Sequence, residues 1–240
     1  MQSSFNVTLS SQMSLDRRIT TIAENVANLS TVGYRATGVT FESVLSNAAG
    51  ASTAYVASGK DFISRASGGL TKTDNPLDIA INGDAWFAIR TPQGVAYTRD
   101  GRMRMSDSGE LQTINGYPIL DAGSAPIMLD PTLGPPTIFH DGMISQRDRQ
   151  VGAIGLFDID PQATLTRAPN SGVIPSRPAT AIINFINNGV MQGHLENANV
   201  NPVSEITRLI LAHRGFEHAA AAYDMMDNSQ RTAVRMLSGG

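Results

Sequence analysis

The side chains with the widest chemical range in this sequence are four histidines, His140, His194, His213 and His218. A metal-binding pair on one helix face needs a spacing of four. His213 and His218 are five apart, which turns their imidazoles onto different faces. Phosphate chemistry needs a glycine-rich loop. The stretch "ASTAYVASGKD" keeps Gly59-Lys60 but carries Ala54 at the first glycine position and Asp61 where a hydroxyl must reach Mg²⁺. Calcium chemistry fails in the same way. "DIDPQATLTRAP" opens with Asp158 and Asp160, then puts Ala163 at the sharp-turn glycine and Pro169 at the bidentate glutamate. No G-x-S-x-G elbow or dinucleotide glycine fingerprint is found, and with no cysteine there is neither disulfide nor thiolate chemistry. No catalytic residue, cofactor or metal is expected, and the elements themselves become the informative features.

Proline and glycine mark those elements out. All 12 prolines lie between Pro76 and Pro202, no glycine precedes Gly33, and only Gly215 interrupts the run from Leu195 to Ser238. Both residues oppose helix interiors, so the two ends are free to be helical and the middle is punctuated. In the first thirty residues Leu15, Ile19, Ile22, Val26 and Leu29 recur by fours and threes, which predicts an amphipathic helix over about 5–29 that breaks at a Ser-Thr-Val-Gly turn. At the other end Asn201 is the expected N-cap, Pro202 the first helical residue and Glu205 a first-turn acid. A helix over 202–237 would be about 54 Å long. Its predicted seam is Leu209, His213, Phe216, Ala220, Tyr223, Asp227, Gln230, Val234 and Leu237, with His213, Asp227 and Gln230 as polar interruptions.

Between the helices lie short β-prone runs ("LDIAI", "AWFAIR", "GVAYTR", "VGAIGLFDI"). Five dipeptides suited to hairpin turns punctuate them: Asn82-Gly83, Asp100-Gly101, Asn115-Gly116, Asp141-Gly142 and Asn188-Gly189. The predicted class is therefore α+β: long N- and C-terminal helices forming a coiled-coil-like layer, with a central antiparallel all-β domain. The expected division is 1–33 plus 200–240 as the helical domain, 34–75 as an extended connector and 76–199 as the β domain.

A net charge of −3 gives no general attraction to nucleic acid. Charged residues form only 16% of the chain, against roughly 25% in an ordinary domain, which suits equally a protein that hides much of its surface in assembly and one whose surface is rich in small-residue loops. No apolar run approaches the roughly 20 residues of a membrane span, and "MQSSFNVTLSSQMSLDRR" lacks the basic start and apolar centre of a cleavable signal peptide. No membrane insertion is expected, and any export would use another route.

Three blocks carry a family resemblance. "ENVANLSTVGYRATGVTFES" (24–43) resembles the N-terminal signature of the axial proteins of the bacterial flagellar basal body. There an Asn-x-x-Asn pair, here Asn25 and Asn28, leads into a Thr-x-Gly-aromatic-basic turn, here Thr31, Gly33, Tyr34 and Arg35. "NPLDIAINGDAWFAIRTPQGVAYTRDGRMRMSDSGELQTINGYPIL" (75–120) resembles the family's β block, and "LENANVNPVSEITRLILAHRGFEHAAAAYDMMDNSQR" (195–231) its C-terminal signature. The blocks cover about half the chain in the family's order; 240 residues leave no room for the extra β insertions of a hook protein, and "MMDNSQRTAVRML" together with "GMISQRDRQVGAIGLFDI" (142–159) resembles most the proximal branch of the rod proteins, with the distal branch next. Ala85 before Trp86-Phe87, where glycine is usual, and Gly215, where a better helix former is usual, depart from the pattern.

The resemblance implies a non-catalytic structural subunit of the rod that carries torque across the periplasm. It implies export through the flagellar type III apparatus and helical assembly with its own copies and with other proximal and distal rod proteins. Both terminal helices would line the inside of a tube, so Leu15, Ile19, Ile22, Val26, Leu29, Leu209, Phe216, Tyr223, Val234 and Leu237 are the expected assembly residues. A peptidoglycan-cleaving β domain and a secreted adhesin are the competing readings, and no residue spacing selects either. Gly33 is expected to end the first helix in the left-handed region. On that view Gly33→Val misdirects the chain without changing the melting temperature of the β core, and Gly33→Asn is nearly neutral.

Overall fold

A computed structural model of the chain describes residues 2–46, 53–57, 60–147 and 149–238. In chain order the elements are α1 (Gln2–Ala27), β1 (Thr37–Val39), β2 (Glu42–Ser46), β3 (Thr53–Ala57), β4 (Asp61–Ile63), β5 (Leu70–Lys72), β6 (Ile79–Asn82), β7 (Trp86–Thr91), β8 (Gly94–Thr98) and β9 (Met103–Met105). Then come β10 (Leu111–Thr113), β11 (Thr137–Ile138), β12 (Met143–Gln146), β13 (Arg149–Ala153), β14 (Leu156–Asp158), β15 (Leu165–Ala168), β16 (Gly172–Pro175), β17 (Thr180–Ala181), β18 (Gly189–Gln192), β19 (His194–Glu196) and α2 (Pro202–Ser238). The ladders described between these strands are antiparallel, and the class is α+β.

The chain forms two compact units: residues 1–27, 37–62 and 201–240, and residues 28–36 with 63–200. These boundaries differ from those expected. Residues 34–75, expected as an extended connector, hold five short strands, and β1 to β4 pair as β1–β4 and β2–β3. The Ser/Ala/Gly/Thr composition that read as a linker conceals short two-stranded ribbons, the β2–β3 hairpin nested inside the β1–β4 pair, whose strands of three and five residues leave little periodic pattern.

In the helical unit α1 and α2 run antiparallel. Leu15 lies at Gly215, the Thr8 hydroxyl meets Met226 Sδ at 3.8 Å, and Asn25 Nδ2 stands 3.5 Å from Glu205 Oε2. The predicted N-cap of α2 is present: Asn201 Oδ1 accepts the Ser204 N–H at 3.0 Å, with Pro202 at the first helical position. Helix α1 ends at Ala27, two residues short of the expected 29, and Asn28 and Leu29 belong to the other unit. Gly215 is half-buried against Leu15, and a Cβ there would sit 3.4–3.5 Å from the leucine methyls, an ordinary contact. Gly215→Ala is therefore expected to stabilise α2 by about 1 kcal/mol, read as increased helicity and a higher melting temperature by circular dichroism.

The β unit is organised by a six-stranded sheet in the order β15-β16-β8-β7-β14-β17. Strand β7 is buried on both faces, which is why "WFAI" reads as a continuous apolar run. Phe87 and Ile89 face the larger core with Ile79, Leu111, Ile119 and Ile144, whereas Trp86 packs with Ile159 and Val173 on the opposite side. Of the five expected turn dipeptides, Asn115-Gly116 and Asp141-Gly142 close antiparallel pairs. Asn82-Gly83, Asp100-Gly101 and Asn188-Gly189 do not, since β6 pairs with β18 and neither β8 nor β17 pairs with the strand that follows it. The β7–β8 hairpin turns instead at Pro92-Gln93. The β15–β16 hairpin turns at Asn170 and Ser171, which both take positive φ.

Candidate assembly surface and signature turn

Asn25, on the last turn of α1, is buried and holds the backbone of Thr37 from both sides: its Oδ1 accepts the Thr37 N–H at 2.9 Å and its Nδ2 donates to the Thr37 carbonyl at 2.9 Å. An asparagine side chain thereby supplies the two bonds of a strand partner, and only a side-chain amide has both a donor and an acceptor at that reach. Glu205, also buried, pairs with Arg208 at 2.6 Å. Together with Arg18, Ile22, Phe41 and Phe62 these residues line a cleft of about 310 Å³ within the helical unit.

The rest of the signature lies in the β unit and forms a socketed turn. Asn28 accepts the Thr31 N–H on its carbonyl and the Thr31 hydroxyl on its Oδ1, both at 3.1 Å. Gly33 sits at φ +67°, as expected, but six residues beyond the end of α1, and it does not cap the helix. Its N–H donates to the Glu196 carbonyl at 2.7 Å. A Cβ on Gly33 would stand 2.7 Å from the Arg99 carbonyl oxygen and closer still to the Asp100 nitrogen. The glycine is required by close backbone approach as well as by φ. Tyr34 is buried beneath the Arg167 guanidinium, 4.3 Å from its ring centroid, and the Tyr34 carbonyl accepts the Asn199 N–H at 3.1 Å.

Arg35 completes the socket. Arg35, Arg99 and Glu196 are each at most 1% exposed. Glu196 Oε1 meets Arg35 Nη2 at 2.9 Å and the Gly68 N–H at 2.8 Å, and its Oε2 meets Arg99 Nη1 at 3.0 Å. Both guanidinium carbons stand 5.5 Å from the Trp86 ring centroid. Arg99 also donates to the Gly83 carbonyl at 2.6 Å, and Arg35 to that of Ala66. Burial holds the Arg99 guanidinium down to about 10 in spite of Glu196, with the Arg35 charge adding to the depression; burial lowers Arg35 as well. The sequence reading missed Glu196 and Arg99. Both stand inside the blocks that carry the family resemblance, but no local spacing marks them as partners.

The expected assembly residues fall mainly inside the helical unit. Ile22 is buried, while Leu15, Ile19, Val26, Leu209, Phe216 and Tyr223 are half-buried. Leu29 is half-buried in the β unit. The side chains of Asp227, Gln230, Val234 and Leu237 lie outside the described residues. His213 is off the seam: it is exposed and faces Glu217 at 3.5 Å, while Ala212 takes the buried position. Its neighbour has no bulk, so the sequence pattern shifted by one residue. The spacing also hid a second stripe. Val203, Ile206 and Ile210, at 73%, 50% and 49% exposure, follow each other by three and four on the outer face of α2; Leu9 and Met13, at 42% and 66%, do the same on α1.

Among the described residues no helix is long and apolar enough to cross a membrane, and no three metal-ligating side chains cluster. Family models match in three places: the flagella basal body rod protein over residues 5–35, the flagellar hook protein FlgE/F/G D1 domain over 80–146, and the flagellar basal body rod FlgEFG protein C-terminal region over 191–236. The chain is 49% identical to the flagellar basal-body rod protein FlgF of Mesorhizobium japonicum over 99% of this chain and 98% of the relative. It is 43% identical to FlgF of Rhizobium meliloti over 100% and 99%, and 28% identical to the rod protein FlgG of Bacillus subtilis over 87% and 89%.

Proposed function

The chain belongs to the flagellar basal-body rod protein family, and from that premise we propose that it is a non-catalytic structural subunit of the proximal rod, exported through the flagellar type III apparatus. The observation that carries this reading is the full-length similarity to rod proteins named FlgF, with identities of 49%, 43% and 35% over at least 98% of each relative. The geometry supports a structural role: the signature residues hold backbone, and those with buried charge hold each other. In the assembled rod the helical units of successive copies and of neighbouring rod proteins form the inner, coiled-coil-like layer, with Leu15, Ile19, Ile22, Leu209, Phe216, Tyr223, Val234 and Leu237 in its packing, and the β units lie outside them. Repetition of a contact between two different surfaces gives a helical tube that transmits torque across the periplasm.

The test uses a flagellated host lacking its own copy. The chain should restore motility and copurify with isolated basal bodies. Ile206→Asp should leave the protein folded and exported but cut its recovery in basal bodies at least tenfold, because a carboxylate buried in a contact costs several kcal/mol. Full-length protein that never enters basal bodies would refute the reading.

A further inference from the structure

We infer that Asn199 is the residue that takes up load where the chain enters the β unit, by tying together the segments that cross between the two units. The inference rests on the rod-subunit reading and adds a positioning residue within it. The chain passes from one unit to the other at four places, 27–28, 36–37, 62–63 and 200–201. Force carried along the covalent chain enters the β unit at those places, so whatever joins their ends decides whether the force is shared.

In the β unit three of the four ends meet at one side chain. Asn199 stands just before the last crossing. Its Oδ1 accepts the Ala36 N–H at 2.6 Å, and its Nδ2 donates to the Ser64 hydroxyl at 3.1 Å and the Ala66 carbonyl at 2.7 Å. Its own N–H donates to the Tyr34 carbonyl at 3.1 Å, and the Ser64 N–H donates to the Ala36 carbonyl at 2.8 Å. A side-chain amide offers an acceptor and two donors on one short arm. A pull on any one segment is therefore resisted by bonds to the other two.

The helical unit repeats the arrangement. Asn25, just before the first crossing, holds both backbone groups of Thr37, the first residue past the second, and stands 3.5 Å from Glu205, soon after the last. Ala36 and Thr37 are consecutive, so two adjacent amides are each held by an asparagine, one from either unit.

Asn199 is half-buried, so its loss opens the structure locally. In hydrogen exchange on the full-length chain, Asn199→Ala should speed the Ala36 and Ser64 amides about tenfold, the equivalent of one hydrogen bond, and leave Ala88 and Ile89 of β7 unchanged. Asn199→Asp keeps the acceptor and should free Ser64 alone. In the flagellated host lacking its own copy, basal bodies should contain both variants at the level of the parent chain. Cells carrying either should keep their flagella in dilute buffer and shed them in methylcellulose, where the motor turns against a high load. Ser64→Ala, which leaves the Ala66 bond in place, should shed none. Unchanged exchange at Ala36 and Ser64 in Asn199→Ala, or freed amides with flagella retained under load, would overturn the inference. So would equal shedding in both media or absence of either variant from basal bodies, since Asn199 would then serve folding or assembly. Absence of the unsubstituted chain from basal bodies would instead overturn the rod reading on which it rests.

Discussion

Replacing Gly33 with valine, alanine or asparagine is expected to lower the stability of the β unit by at least about 3 kcal/mol in all three cases. The positive φ of +67° costs an L-residue roughly 1–2 kcal/mol, more if β-branched. Backbone strain alone would spare asparagine. The clash of the Cβ costs more, because every substituent carries that atom and it meets the backbone of Arg99 and Asp100. Relief requires the turn to lift, which lengthens the Gly33 N–H bond to the Glu196 carbonyl and unseats buried Tyr34 and Arg35. This reverses the two expectations drawn from sequence, that the β core would ignore the change and that asparagine would be tolerated. Residues 28–36 are part of the β unit, so distance along the chain is no guide. Urea unfolding followed by tryptophan fluorescence reads the effect at Trp86. A wild-type midpoint for Gly33→Asn beside a lowered one for Gly33→Val would show that φ, and not backbone approach, selects the glycine.

Glu196→Gln should cost about 3–5 kcal/mol, the usual penalty for stripping the partner from buried charge. At 2–4 °C per kcal/mol for a unit of this size, the melting temperature should fall by roughly 6–20 °C. The carboxylate is shared by two guanidinium groups that are at most 1% exposed and flank one indole. Glutamine keeps the shape and one acceptor but leaves two cations facing each other. Replacing the set together, Arg35→Met with Arg99→Met and Glu196→Leu, should recover most of the loss, because an apolar triad of similar volume carries no desolvation penalty. A glutamine variant that melts within 2 °C of the parent would mean that water reaches the guanidinium groups and the triad is not electrostatic.

The sequence carried the helices plainly and the sheet coarsely. Helix α2 was legible to its cap because Asn201, Pro202 and Glu205 are local signals, read over a few residues. The socket of the signature turn was not, because Gly33 meets Arg99 and Glu196 across 66 and 163 positions of chain, and no local period records such pairings. The same limit explains the dipeptides: Asn-Gly tolerates positive φ wherever it stands, and pairing partners set by the whole sheet decide whether it closes a hairpin. His213 was placed in the seam because an alanine and a histidine one residue apart fit the period equally. Packing against α1 prefers the smaller side chain, which lets the helices approach. The outer stripe Val203, Ile206 and Ile210 was present in the sequence all along, but a search for one apolar face stops at the first it finds.

If this chain builds the rod by stacking its helical units, a cryo-EM map of basal bodies from cells carrying it is the most direct test. The expected map has continuous density in which α1 and α2 of successive subunits line the inner wall of the rod, with the β units outside. A rod complete without the chain, or one in which its helices face outward and touch no neighbouring subunit, would contradict that arrangement.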